Sequence, residues 1–150
     1  MATQSVQKDI QGPDWPLGLI AVAAAGTPVG IMSLVDPNSY NSPNTASSVN
    51  TAEYTVRAYG ILFVACKAGA SHGLQANTGN IYICRKGVQG AGNRDDYGSI
   101  VTFLPPGSST VPSSFFLLAA PLNRDVFSPY RYYIDADNNG DSCLVTLVMQ

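Results

Sequence analysis

The chain ends on Leu144-Val145-Thr146-Leu147-Val148-Met149, an apolar, β-branched run that stops one residue short of the terminus. A terminal run this apolar is not left to fray in water. It belongs in the middle of a sheet, with a neighbour paired on each side. Leu144, Val145, Leu147 and Val148 occupy both faces, so the strand is expected to be covered on both sides over most of its length. Upstream, Arg131 to Asp135 is rich in Tyr and Ile, which suit a pleated, half-buried surface. Between the two runs stands Asp137-Asn138-Asn139-Gly140-Asp141. These residues tolerate positive φ and bond back to their own backbone, so the chain is expected to reverse here as a hairpin.

The rest of the chain repeats the pattern of short apolar runs between breakers. Leu19 to Ala25 and Val29 to Val35 read as strands separated by Gly26-Thr27-Pro28. The Ala-rich part of the first is too short to stand as a helix. Tyr54 to Cys66 is the longest strand candidate, with Tyr54, Val56, Ala58, Leu62, Val64 and Cys66 on one face. Its other face is polar at Thr55 and Arg57, then apolar at Ile61 and Phe63, so the strand enters the core part-way along. Asn80 to Lys86, Ser99 to Leu104 and Phe115 to Ala119 complete the set. Asp36 to Thr51 and Gly87 to Gly98 read as long polar loops. No stretch sustains the period of a long amphipathic helix. Seven or eight short strands joined by loops predict an all-β fold, a β-sandwich of jelly-roll or Greek-key type.

Met1 to Pro16 is polar and carries Pro13 and Pro16, so residues 1–16 are expected to form an extended arm ahead of a single domain at 17–150. Trp15 has two readings. It folds back onto its own domain, or it anchors the arm, with Pro16, into a partner, as Trp does at binding hot spots.

Charged residues make up 12% of the chain, about half of the ~25% usual for soluble domains, and the net charge is −2. Eight Lys plus Arg spread along the sequence form no basic patch, which argues against nucleic acid as a partner. So little charge fits a protein whose surface is largely covered by neighbours. Leu17 to Val35 is uncharged, but Gly18, Gly26, Pro28 and Gly30 break it, so no membrane span is expected. Asp9 and Asp14 stand where a secretory leader would carry positive charge. Cys66, Cys84 and Cys143 each lie inside an apolar run and read as buried small hydrophobes. Neither a disulfide framework nor the short Cys/His spacing of a zinc site is present in the sequence.

Three motifs resemble chemistry. Gly69-Ala70-Ser71-His72-Gly73 matches G-x-S-x-G, but a nucleophile elbow opens a helix, and the next strand begins only a few residues later. His72 is the sole histidine and neighbours the serine, where it cannot easily swing round as its general base. A glycine-rich turn is therefore expected. Asp135-x-Asp137-x-Asn139-Gly140-Asp141 resembles the first half of an EF-hand calcium loop, yet Thr146 stands where the bidentate Glu belongs, so no obligatory ion is expected. Arg94-Asp95-Asp96-Tyr97 is a charge cluster in a glycine-rich loop, either a solvated tip or a partner contact. No catalytic set emerges, and neither an enzyme nor a cofactor is expected.

Two further stretches carry a family resemblance. Asn77-Thr78-Gly79-Asn80-Ile81-Tyr82-Ile83-Cys84-Arg85-Lys86-Gly87, and Ala120 to Phe127 through Tyr130-Arg131-Tyr132-Tyr133-Ile134-Asp135-Ala136-Asp137 with Leu144-Val145-Thr146-Leu147, resemble small β-rich virion proteins of tailed bacteriophages, commonly of the head decoration (cement) type. The resemblance covers about the C-terminal half and brings no active site. It implies a structural protein on the capsid surface of the virion. Its partner would be the major capsid protein, and it would act as a symmetric homo-oligomer, with a closed trimer as the first guess. Trp15, Pro16, Arg94, Asp95, Asp96 and Tyr97 are the candidate contact residues. The alternative is a glycan- or receptor-binding β-sandwich of a tail or fibre, whose Tyr-rich loops would stack on sugars.

Overall fold

A computed structural model describes residues 14–35, 57–85, 100–108, 114–119 and 128–149. The fold is all-β. Among the described residues ten strands follow in order: β1 (Asp14–Ala21), β2 (Val29–Gly30), β3 (Gly60–Ala65), β4 (Lys67–Ala68), β5 (Leu74–Gln75), β6 (Ile81–Arg85), β7 (Ile100–Leu104), β8 (Ser114–Ala119), β9 (Tyr132–Ala136) and β10 (Ser142–Val148). They form two four-stranded antiparallel sheets, β1-β10-β3-β8 and β2-β9-β6-β7, and a small β4-β5 ribbon. Among the described residues no helix is long and apolar enough to cross a membrane.

The terminal strand takes the position its composition predicts. β10 lies between β1 and β3, with Leu147 opposite Trp15 on one side and Ile61 on the other. Its burial, however, is one-sided. Cys143, Val145 and Leu147 are fully buried, while Leu144, Thr146 and Val148 are only partly covered. The strand covered on both faces is β9, where all five residues are buried. Tyr132, Ile134 and Ala136 enter the main core, whereas Tyr133 packs with Cys84 on the opposite face.

The expected hairpin between these two strands is absent, because β9 and β10 belong to different sheets. Residues 137–141 carry the chain from one layer to the other as an arch. The same residue chemistry serves both purposes, since either link needs positive φ, here at Gly140 (φ +84°).

One apolar cluster joins the layers. Ile20, Phe63, Val145 and Leu147 of the first sheet share it with Ile81, Ile83, Leu104 and Ile134 of the second. Several strands differ from their sequence expectations for identifiable reasons. β1 begins at Asp14, so Asp14, Trp15 and Pro16 belong to the sheet and not to an arm. Residues 1–13 lie outside the described set. Pro16 is tolerated because β1 is an edge strand. The register slips between Pro16 and Gly18, so the buried residues are Leu17 and Ile20, and period two fails across the bulge. The expected strand Val29–Val35 shrinks to two residues. Beyond it the Ser33 N–H donates to Gly30 O (3.1 Å) and the Val35 N–H to Met32 O (3.2 Å), so the chain turns while Ile31 and Met32 stay buried. In β3 the fully buried face is Ile61, Phe63 and Ala65, with Leu62 and Val64 half-covered.

Candidate functional site

The acidic turn is heavily bonded, and its bonds run to other loops. Asp141 has no exposed side-chain surface. Its Oδ2 accepts from the Gly79 N–H (2.8 Å), both oxygens accept from the Thr78 N–H (3.0 and 3.1 Å), and the Thr78 hydroxyl lies equally close to both (3.1 and 3.0 Å). Lys67 Nζ stands 3.4 Å from Oδ1. Beside it, Asn77 and Ser142 pair reciprocally: the Ser142 N–H donates to Asn77 Oδ1 (3.0 Å) and Asn77 Nδ2 donates to Ser142 O (2.8 Å). The Ser142 hydroxyl donates to Cys66 O at 2.9 Å.

The other acidic and amide groups of the turn reach different segments. Asp135 Oδ1 accepts from the N–H groups of Gly26 (2.9 Å) and Ala136 (2.8 Å). Asp137 accepts from the Asn80 N–H (3.2 Å) and the Tyr82 hydroxyl (3.1 Å). Asn139 Oδ1 accepts from the Ala25 N–H (2.8 Å), and the Gly140 N–H donates to Val22 O (2.8 Å). The alternating oxygens that resembled a calcium loop are thus turned outward, each onto a separate backbone donor. Among the described residues, no group of three or more His, Cys, Asp or Glu side chains is placed to hold a metal ion. The turn acts as a clasp, tying the β1–β2 and β5–β6 connections to the arch between the layers. Melting in a chelator is accordingly expected to match melting in calcium. A chelator-induced drop in melting temperature would show an ion in the clasp.

Burial pushes the Asp141 carboxyl toward its neutral form. The donors from Thr78 and Gly79, together with Lys67, outweigh that and hold its pKa below the usual carboxylate value. The three cysteines are free and buried, as their apolar surroundings predict. Burial raises the thiol pKa of Cys66, and raises that of Cys143 further with Cys66 beside it, so neither is a ready thiolate nucleophile.

The G-x-S-x-G stretch forms the tip of the β4-β5 ribbon. Ala70 to His72 is a 3-10 turn closed by Gly69 N–H to Gly73 O (2.8 Å) and Gly73 N–H to Ala70 O (3.2 Å). Ser71 sits in the left-handed region (φ 57°, ψ 42°), and the chain runs directly into β5 with no helix behind the serine. Of the candidate contact residues, Trp15 is half-buried and packs against the core, which favours its reading as part of its own domain. Pro16 is exposed on β1. Arg94, Asp95, Asp96 and Tyr97 lie outside the described residues.

Two exposed apolar strands were not singled out by the sequence reading. They are the edge strands β7 and β8, one in each sheet. They expose Val101 (40%), Phe103 (55%), Phe115 (72%) and Leu117 (49%). The signal was present in the sequence: no residue from Tyr97 to Asn123 is charged. Compared with known proteins, the chain matches no family model, no curated protein and no solved structure.

Proposed function

We propose that this chain is a non-enzymatic structural protein of a phage virion, bound to the outside of the capsid lattice, with the major capsid protein as its partner. The observation that carries the reading is the strand order. Aligned rank by rank, the orders β1-β10-β3-β8 and β2-β9-β6-β7 set β1 with β2, β10 with β9, β3 with β6 and β8 with β7. That ordering supports reading the two sheets as a jelly roll, an arrangement that viral capsid domains and lectins use. The warrant is a fold-level analogy. It is supported by the resemblance in Asn77 to Gly87, Ala120 to Phe127 and Tyr130 to Asp137, and by the exposed apolar residues of β7 and β8, which a crowded lattice would cover. Self-association belongs to the reading, with a threefold ring as the simplest closed form.

A second reading, a glycan-binding component of a tail or fibre, draws on the same wrapping. It also draws on the Tyr82–Phe103 ring pair (6.3 Å between centroids), in which Phe103 is exposed enough to stack on a sugar. Copy number separates the two. Quantitative mass spectrometry of purified particles should find the chain at near-lattice abundance. A few copies per particle would move it to the tail, and absence from particles would overturn both readings. A contribution from residues 1–13 is tested by pull-down with undecorated heads, comparing the full chain with one lacking that segment, which leaves β1 intact. Loss of capture places the contact in that segment. Full capture places it in residues 14–150, where Trp15, Pro16 and Arg94 to Tyr97 are the candidates.

A further inference from the structure

Four strands form the edges of the two sheets, and three of them carry features that discourage pairing with another chain. β1 contains Pro16 and a register shift before Gly18. β2 is two residues long. β7 has a register shift against β6 and runs into Pro105-Pro106. β8 has none of these. Its pairing with β3 runs unbroken from Ser114 to Ala119, with no proline, no glycine and no charge. Among the described residues, no strand pairs with its far edge. Its outward side chains, Phe115 (72%) and Leu117 (49%), are large and exposed.

We infer that the open edge of β8 pairs antiparallel with β8 of a second copy of this chain, joining two four-stranded sheets into one of eight. Self-complementarity selects the occupant. β8 carries no charge for a charged partner to read, whereas a second copy presents the same open backbone groups and the same outward apolar side chains. Geometry permits self-pairing as well. In an antiparallel pair about a two-fold axis, outward residues meet outward residues only if the axis passes through a residue position. With the axis at Phe116, each Phe115 stands opposite the partner's Leu117. With the axis at Leu117, the two Leu117 side chains meet. Either way four large apolar groups are brought onto one outer face. The contact is two-fold, so it yields a dimer, or a six-chain particle if threefold contacts also close elsewhere.

This inference deepens the oligomer part of the proposed function, but its test needs no capsid. Light scattering of the full chain across a concentration series should give an even number of copies. Phe115→Lys and Leu117→Lys should each halve that mass while leaving the circular dichroism spectrum unchanged, because both side chains point outward. Should Leu117→Lys fail to fold, Phe115→Lys and the parent mass decide. A single-chain or three-chain parent, or variants that keep the parent mass, would overturn the inference. A dimer that fails to bind heads would instead count against the capsid reading.

Discussion

A chain truncated after Asp141 is expected to lose its cooperative melt entirely. The deletion removes β10, which hydrogen-bonds to β1 on one side and β3 on the other. Without it β3 keeps only β8 as a neighbour, and β1 loses its only sheet partner among the described strands. Cys143, Val145 and Leu147 leave the core, and Ile20, Ile61 and Phe63 lose the strand they pack beside. A single large side chain removed from such a site costs about 2–5 kcal/mol, against a total stability of roughly 5–15 kcal/mol. Leu147→Ala should therefore lower stability by an amount in that range, and losing the whole strand exceeds what the fold can spare. Urea titration followed by circular dichroism measures both. A truncated chain that still melts in one sharp transition would show that β10 is an accessory to a core formed without it.

Asp141→Ala should be the most damaging substitution of a polar residue. It leaves the N–H groups of Thr78 and Gly79 and the ammonium of Lys67 without their acceptor, in a place where the carboxylate has no exposed surface. Hydrogen bonds to a charged group contribute about 1.5–3 kcal/mol each, and stranded donors add a desolvation cost. Allowing for the partial exposure of Lys67, a loss of about 3–5 kcal/mol is expected, or roughly 10 °C in melting temperature for a chain of this size. The contribution also depends on pH. The folded-state pKa of Asp141 is depressed below its unfolded value, so the stabilisation is complete above the ordinary carboxylate range. It fades as pH falls below about 4 and through the folded-state pKa. The parent should thus lose stability faster than an Asp141→Asn variant over that acid range. Parallel acid profiles for parent and variant would show that Asp141 is not the group responsible.

Strands were easier to read from sequence than the way they are wired. β6, β7, β8 and β10 lie close to their expected limits because apolar alternation and flanking breakers are local signals. β1 was obscured by its own bulge: Leu17 and Ile20 break the alternation, and Pro16 reads as a terminator unless the strand is known to lie at an edge. The turn between β9 and β10 was legible as a turn but not as a passage between layers. What decides the matter is the set of distant donors from Gly26, Thr78 and Gly79, and nothing local to Asp137–Asp141 specifies them. The exposure of Val101 and Phe103 on β7, and of Phe115 and Leu117 on β8, was hidden for the converse reason. Alternation marks which residues share a face, but whether that face meets the other layer or solvent is settled by the packing of the whole.

The pairing of β1 with β10 sets Asp14 against Val148, so the first described residue and nearly the last are neighbours. A topology of this kind has high contact order. The entropy of closing almost the whole chain into a loop is spent before the central strand gains its contacts, which places folding on a timescale of roughly milliseconds to seconds. During synthesis the first sheet cannot be completed until β10, which lies between β1 and β3, has emerged. The chain also carries its own reporter of that event. Trp15, the sole tryptophan, stands across from Leu147 in the closing pair, so a change in its fluorescence marks the moment at which β1 and β10 meet.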